Sequence, residues 1–283
     1  MKIIKSPMNY IGGKSKILPQ LLPLFPSNIN TFHDIFTGGG NLPVNIDCSN
    51  IYINDINNFV LEILEYFYSN NIEDILTEIY YYIDKFKLTK ENIDGYNNCR
   101  TYYNSNKNCI LLYTLVCYSF NYQFRFNSIL EYNNAFGKNR SSFSDQLKNK
   151  LILFVQKLQS KNINFYSLDF SDYFNNITFN NNDFVYCDPP YLITTGSYND
   201  GKRGFCGWDS MLEKKLYDGL DNLSNNGIKF ALSNVTIHKN NSNDILIKWM
   251  KNYNVHNINN NYSNSSYNTD KKSISQEVLI TNY

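Results

Sequence analysis

The stretch Asp183-Phe184-Val185-Tyr186-Cys187-Asp188-Pro189-Pro190-Tyr191 decides how the chain is read. Its apolar run, residues 184–187, is short, unbroken and rich in strand formers, the pattern of a strand buried on both faces. The run delivers an acid, Asp188, and an aromatic ring, Tyr191, to a strand's carboxyl end, where open α/β sheets place their ligands. Pro189 and Pro190 stiffen the link between them, and each removes a backbone donor, so the carbonyls there are left as outward acceptors. Acceptors beside a π-face suit a planar ring that carries an amine, held by the amine and stacked on its face.

Outward from this stretch, apolar runs alternate with helical periodicity. Strands are expected at residues 31–36, 51–54, 163–168, 183–187, 228–233, 253–258 and 274–281. Helices are expected at residues 14–24, 56–68, 72–86, 110–120, 145–160, 213–225 and 245–251. Such alternation predicts a mostly parallel sheet covered on both faces. It fails between about residues 67 and 147, where the pattern turns helical and then irregular and aromatic. We therefore read residues 1–66 and 145–283 as one α/β domain and residues 67–144 as a smaller inserted module. The Asn-rich piece 257–268 reads as a mobile loop or a hairpin tip. No internal repeat is visible.

With 283 residues and 42% hydrophobic content, the chain can build one large domain with an insertion. A net charge of +1 excludes a global basic field, so any contact with nucleic acid has to come from local patches. The abundance of Asn, Ile, Lys, Tyr and Phe reads as the mark of an AT-rich coding sequence rather than of a function. Six cysteines without a C-x-x-C pair and three scattered histidines give no metal site. The start, Met1-Lys2-Ile3-Ile4-Lys5-Ser6-Pro7, lacks the apolar core of a signal peptide, and no apolar run approaches the roughly 20 residues of a membrane helix. A reduced, intracellular, soluble protein is expected.

Two glycine segments accompany the acidic strand end. In Phe32-His33-Asp34-Ile35-Phe36-Thr37-Gly38-Gly39-Gly40-Asn41 a strand reads into a glycine turn and then a helix, and glycine lets backbone approach a ligand closely. Nucleotide-binding folds place a ribose-binding acid about 20 residues past such a turn, and Asp55 stands near that distance. The glycines do not follow G-x-G-x-x-G, so an adenosine-bearing ligand other than a dinucleotide is favoured, against the plainer reading of a structural turn. Asn9-Tyr10-Ile11-Gly12-Gly13-Lys14-Ser15 lacks the spacing of a P-loop. It is either a helix start at Lys14 or a loop over a charged ligand, with Lys14 near a carboxylate.

In this order, the segments resemble the Dam-type DNA adenine-N6 methyltransferases, class alpha with a DPPY motif, and most closely their phage-encoded branch. The resemblance covers nearly the whole chain, including residues 9–14, 34–40, Asn54-Asp55, residues 183–194 and the strand Gly227-Ile228-Lys229-Phe230-Ala231-Leu232-Ser233-Asn234. It implies a Rossmann-like sheet ending in an antiparallel hairpin, an inserted helical DNA-recognition domain, and S-adenosylmethionine as cofactor with no metal. It places Tyr10 and Lys14 about the methionine part of the cofactor. Asp34, Phe36 and the Gly38, Gly39, Gly40 turn would lie along it, Asp55 would take the ribose hydroxyls, and Asp169 and Phe170 would border the adenine.

The chemistry this implies can be argued from the residues. The N6 amine of adenine is a poor nucleophile because its lone pair is delocalised into the ring. Asp188 can accept one N6 hydrogen and the Pro189 carbonyl the other, which frees the lone pair for in-line attack on a methyl group. Duplex DNA hides the amine, so the base has to be flipped out, and Tyr191 then offers a stacking face. The resemblance further makes Asn9, Phe120, Asn121, Gln123, Arg125, Asn127, Ala135, Lys138, Asn139 and Arg140 the DNA-binding set. Arg125 would read a guanine, while the lysine and Arg140 would touch phosphate. Without the family, this segment reads as a solvated aromatic loop.

GATC is the leading target by resemblance. Gln123, Ala135 and Asn9 depart from the family's usual apolar residue, proline and lysine, so a related or relaxed site stays open. Residues 195–208 read as a mobile lid or as plain loop. Double-stranded DNA is the implied partner. A cognate restriction endonuclease, and a monomer or weak dimer, remain open. Competing readings are amine methylation of RNA or protein, and an inactive DNA-binding relative.

Overall fold

The computed structural model describes residues 3–10, 12–194, 207–259 and 275–283. Its centre is a single sheet built from β1 (Thr31–Asp34), β2 (Asn50–Asn54), β3 (Asn162–Tyr166), β4 (Phe184–Cys187), β5 (Lys229–His238), β6 (Asn241–Ser242), β7 (Asn254–Ile258) and β8 (Ser275–Thr281). Across the sheet the order is β3-β2-β1-β4-β5-β8-β7, with β6 beside β5. β1 lies parallel to β2 and β4, β2 to β3, and β4 to β5, whereas β8 runs antiparallel to β5 and β7. This is the Rossmann-like α/β architecture expected from the sequence. The chain winds outward from β1 through β2 to β3 and then returns to lay β4 on the other side of β1. The switch point therefore falls between Asp34, the last residue of β1, and Cys187, the last of β4, and ligand crevices form at such points.

The helices are α1 (Leu18–Leu21), α2 (Asn58–Ser69), α3 (Ile72–Phe86), α4 (Ile93–Asn106), α5 (Cys109–Cys117), α6 (Asp145–Gln159), α7 (Phe170–Asn176), α8 (Ser210–Asn225) and α9 (Asp244–Trp249). Every residue of β1 and β4 is buried, because helices cover both faces of the sheet. One face packs on α2, α5 and α6 through Phe32, Ile51, Leu64, Leu111 and Phe154, in a core continuous with Ile75, Ile79, Tyr96 and Tyr103 of α3 and α4. The other packs on α7 and α8 through Val185, Phe230, Tyr173, Leu216 and Leu220.

Four differences from the sequence reading have local causes. The helix expected over residues 14–24 is broken into a 3-10 turn at Lys14–Lys16, the single turn α1, and a 3-10 turn at Leu22–Leu24. Pro19 and Pro23 each lack the N–H that a continuous helix needs. The glycine turn at residues 38–40 leads into further turns at residues 41–46 and not into a helix. The segment expected to be helical over residues 110–120 stops at Cys117. Helix α4 was missed because it buries only Gly95, Tyr96, Cys99 and Tyr103 and its other positions are polar or, at Ile93 and Tyr102, exposed, so its apolar period is faint.

The asparagines, read from composition as a coding bias, have structural work. The side chains of Asn71, Asn92, Asn108 and Asn243 accept the backbone N–H groups of Asp74, Gly95, Leu111 and Leu246 at the starts of α3, α4, α5 and α9. Each such N-cap is worth roughly 1 kcal/mol.

Candidate active site and nucleic-acid interface

The strand ends at the switch point are tied together by Asn54. Its amide donates to the carbonyls of Ile35 (3.1 Å) and Leu168 (3.0 Å), and its oxygen accepts from the N–H of Leu168 (2.9 Å). Three segments leaving β1, β2 and β3 are thus fixed around one cleft of about 240 Å³. Tyr10, Lys14, Asp34, Phe36, Gly38, Gly39, Asp55, Asp169, Phe170, Asp188, Pro189, Pro190 and Tyr191 all line it, so the structure brings together the expected catalytic and cofactor residues with one exception. Gly40 faces the core, where an added Cβ would meet Leu64 at 3.0 Å. The turn itself needs glycine most at Gly38, whose φ is +48° and whose added Cβ would lie 2.8 Å from the Tyr10 ring.

The carboxylates of the cleft differ in their partners. Asp34 is buried. One of its oxygens accepts from the Thr37 hydroxyl at 2.8 Å, and the other has no hydrogen-bond partner among the described residues. Burial pushes its carboxyl up to about 8, opposed by the Thr37 bond and reinforced by Asp188 and Asp55 nearby. Asp55 accepts from the N–H of Gly38 at 2.7 Å and of Asn57 at 2.9 Å. Burial pushes it up to about 6 against those two bonds. The bond to Gly38 links the acid after β2 directly to the glycine turn after β1.

Asp188 sits at the centre of a cluster that the sequence reading only half found. Lys14 Nζ lies 2.9 Å from Asp188 and 3.3 Å from Glu277, and it also bonds the Tyr191 hydroxyl. The Tyr191 hydroxyl in turn lies 3.0 Å from Asp188 and 3.1 Å from Glu277, and it can donate its one proton to either. Burial raises the Asp188 carboxyl, Lys14 pulls it back, and Glu277 pushes it up again. Glu277, buried on β8, was missed. Its one sequence signal is an acid inside an apolar strand, Glu277-Val278-Leu279-Ile280, a position that demands a partner. Tyr191 was expected to offer a stacking face; it is 6% exposed, and Lys14 Nζ lies over its ring, 4.7 Å from the ring centre. An ammonium between two carboxylates is thereby held against that face.

The far end of the cleft is apolar, with Ile56, Leu168, Phe36, Phe170, Trp208 and Leu212. Asp169 caps α7 by accepting from the N–H of Ser171 at 2.9 Å. No group of three or more His, Cys, Asp or Glu side chains able to hold a metal is found among the described residues. No helix among them is long and apolar enough to cross a membrane.

Beside the cleft, residues 118–137 fold back on themselves. Phe120 donates to the carbonyl of Ala135 at 2.7 Å, Asn133 to that of Arg125 at 3.0 Å, and Gly137 to that of Tyr118 at 2.9 Å. Phe124 and Phe126 point inward, and Phe126 stacks on Phe59 of α2 with ring centres 4.3 Å apart. Arg125, Ala135, Lys138, Asn139 and Arg140 are exposed, while Phe120, Asn121 and Gln123 are half-buried. Asn9 is exposed and donates to the carbonyl of Asn121 at 3.0 Å, which ties the amino-terminal loop to this hairpin.

Asn127 was expected at the DNA, but its side chain closes the hairpin turn. It accepts from the N–H of Ile129 (3.1 Å) and of Glu131 (2.9 Å) and donates to the Glu131 carboxylate (3.0 Å). Asn139 likewise has a turn role, with φ of +60° and its N–H on the carbonyl of Lys90. Residues 195–206 of the expected lid, and residues 260–268 of the Asn-rich piece, lie outside the described residues.

A mostly parallel sheet with a glycine turn, an acid-Pro-Pro-Tyr strand end and a side hairpin is the frame of an adenine-specific DNA methylase. The model of the D12 class N6 adenine-specific DNA methyltransferases matches residues 10–264, and the chain belongs to that family. It is 51% identical to the type II methyltransferase M.FokI of Planomicrobium okeanokoites over 280 residues, which are 99% of this chain and 43% of that protein. It is 50% identical to the modification methylase StsI of Streptococcus sanguinis over an alignment of 287 positions that covers all of this chain and 43% of that protein. The type II methyltransferase M1.LlaDCHI of Lactococcus lactis subsp. cremoris is 26% identical over 97% of this chain and 94% of its own length. The chain thus spans less than half the length of M.FokI and StsI.

Proposed function

We propose that the protein transfers a methyl group from S-adenosylmethionine to N6 of an adenine flipped out of double-stranded DNA. The observation that carries this reading is Asp188 at the end of β4, in one cleft with the unpartnered oxygen of Asp34. A buried carboxylate oxygen without a donor is costly until a cation or donor reaches it. S-adenosylmethionine brings two cationic groups, and when bound it supplies the methyl on a sulfonium leaving group. Asp34 would face its charged end, Asp55 its ribose, and Phe36 and Phe170 its purine. Gly38 allows the close approach that a side chain would block.

Asp188 and the Pro189 carbonyl would then hold the N6 hydrogens, orient the nitrogen lone pair at the methyl carbon, and stabilise the positive charge that grows on nitrogen. For Asp188 to accept an N6 hydrogen, Lys14 has to share less of it, and Glu277 is placed to keep the ammonium. Tyr191 borders the same position and would meet the extruded base. The exposed Arg125 would read a G·C pair, with Lys138 and Arg140 on phosphate and Asn9, Phe120, Asn121, Gln123, Ala135 and Asn139 framing the groove contact. On this reading residues 67–144 act as the target-recognition module.

The names of the relatives, type II methyltransferase and modification methylase, support a role in DNA modification opposite a cognate restriction endonuclease inside the cell. The test is to incubate purified protein with S-adenosylmethionine and unmethylated genomic DNA and to map modified adenines by direct sequencing. Methylated adenine in one short motif is expected, and that motif, GATC or another, assigns what Gln123 and Ala135 read. Cofactor binding without any methylated adenine would overturn the reading.

A further inference from the structure

We propose that Trp208, held by the buried carboxylate of Glu213, is the third aromatic wall of the cofactor's purine pocket, and that Glu213 is a positioning residue for cofactor affinity. This rests on the S-adenosylmethionine reading above. The apolar end of the cleft carries three rings from three different elements. Phe36 follows β1, Phe170 opens α7, and Trp208 precedes α8. Phe36 and Phe170 have ring centres 5.9 Å apart, and Trp208 lies 5.8 Å from Phe36 and 5.6 Å from Phe170. Trp208 crosses Phe36 nearly at right angles (83°) and Phe170 at 51°, so the three rings enclose a corner and do not form a single stack. A corner of π-faces that lines a cleft suits a flat heteroaromatic ring.

What fixes the indole is unusual in its cost. The Trp208 N–H bonds Glu213, whose side chain is fully buried. The same carboxylate accepts from Asn234 at 3.0 Å, from Asn243 at 2.9 Å and from the Tyr217 hydroxyl. Among the described residues no Lys, Arg or His makes an ion pair with it. A buried carboxylate without a cation is expensive, and four donors offset that cost with charge-assisted, directional bonds. The result is an indole whose polar edge is locked into the core side of α8 and β5 while its ring lines the cleft. Asp209 adds a second restraint at the next residue by capping α8 with bonds from Met211 and Leu212, both 2.9 Å. The ring's position is therefore set by the fold before any ligand arrives, which is the requirement for a pocket wall that adds affinity without an ordering cost.

Stacking of a purine on an aromatic ring is worth roughly 1–3 kcal/mol, so losing the wall should cost about tenfold or more in cofactor affinity. The purine end lies away from the reacting atoms, so the loss should appear in KM for S-adenosylmethionine and not in kcat. The chain has two tryptophans, Trp208 and Trp249. In a Trp249→Phe protein, Trp208 emission is followed while S-adenosylmethionine is added, with calorimetry in parallel.

The expected result is a saturable emission change at the calorimetric midpoint. Cofactor KM should rise about tenfold in Trp208→Ala and severalfold in Glu213→Gln, with kcat and KM for DNA within about twofold. Trp208→Phe keeps a ring but no N–H. It should reproduce the Glu213→Gln effect, and combining the two should add little, which a merely structural role would not give. It also serves if Glu213→Gln fails to fold. Calorimetric binding with unchanged Trp208 emission, and a parental cofactor KM in Trp208→Phe, would overturn the inference alone. Absence of any cofactor binding to the parent protein would overturn the S-adenosylmethionine reading and the inference with it.

Discussion

The cleft and the hairpin beside it treat charge in opposite ways. In the cleft, Asp34, Asp55 and Glu277 are buried, and one ammonium, Lys14, stands between Glu277 and the half-buried Asp188. On the hairpin, Arg125, Lys138 and Arg140 are exposed, while Phe124, Phe126 and Tyr132 turn inward with the uncharged Asn134. Buried charge is costly and has to be compensated by fixed partners, so it can hold a ligand in one geometry. Exposed charge is cheap and screened, so it can meet a partner of variable sequence over a larger surface. On the function proposed above, one region would serve the reaction and the other the reading of DNA. Among the described residues they meet through the ring pair Tyr10–Phe124, 6.2 Å apart, and the Asn9–Asn121 bond, and Phe124 itself lines the cleft.

The sharpest way to separate the regions is Asp188→Ala. It removes the acceptor for the N6 hydrogen and should lower kcat by about 10²–10³-fold, as loss of one transition-state hydrogen-bond partner does. DNA binding should stay near the parent level, and cofactor binding should be largely kept. Single-turnover methylation together with a DNA-binding isotherm checks this, and turnover near that of the parent would break the assignment.

The second test uses the carboxyl that burial holds near 8. Asp34 is protonated more readily in the folded chain than in the unfolded chain, so the unliganded protein loses stability as pH rises from about 4 to about 8. A cationic ligand favours the ionised form, so cofactor binding has the opposite slope. It should tighten by up to about tenfold per pH unit between pH 6 and 8, level off above 8, and release a proton below 8. Asp34→Asn should flatten the slope and weaken binding. Calorimetry in two buffers of different ionisation enthalpy measures the proton directly. Hairpin variants should leave that slope untouched.

The contrast also explains what the sequence could show. Cleft residues come in short contiguous motifs at strand ends, because a strand's carboxyl end and the turn after it are local features. Asp34 with Gly38, Asp55, and Asp188 with Tyr191 were therefore all legible. Glu277 and Glu213 were not, since what makes them matter is a partner 86 residues away at Tyr191 and one 21 residues away at Asn234. On the hairpin, the exposed Arg125 is recognisable by type, whereas the turn bonds of Asn127 are not, because an exposed polar residue and a turn residue are written alike. The strands were found to within a few residues at most of their ends, save that the two-residue β6 was not expected and β5 runs on to His238. Helices α4 and α7 were not expected, because the buried stripe of α4 is too narrow to stand out and α7 spans only 7 residues.

On the reading side, Arg125→Ala should leave the chemistry alone. If Arg125 bonds a guanine edge, about 1–3 kcal/mol of discrimination at one base pair disappears. The variant should methylate a family of sites relaxed at that pair, with kcat on the best site within a fewfold of the parent. Sequencing of methylated genomic DNA shows whether relaxation falls at one position. A uniform loss at every site would instead make Arg125 a phosphate contact.

The smallest effect belongs to the turn that presents Arg125. Asn127 closes it with three hydrogen bonds, and Leu130 sits there with φ of +58°, a left-handed conformation that costs a non-glycine residue roughly 1–2 kcal/mol. Lys107 adds a bond to the Leu130 carbonyl at 2.9 Å. The Asn127 bonds thus hold a strained turn in place. Partly exposed bonds of this kind return about 1 kcal/mol in net terms, so Asn127→Ala should lower Tm by a few degrees and raise KM for DNA a fewfold, with kcat unchanged. Leu130→Gly relieves the strain but gives back a similar amount in unfolded-chain entropy, so alone it should be near neutral. In the Leu130→Gly background, Asn127→Ala should cost less, because the turn no longer has to be forced. If the two changes simply add, Asn127 does more than hold the turn, and a direct contact with DNA becomes the better account of it.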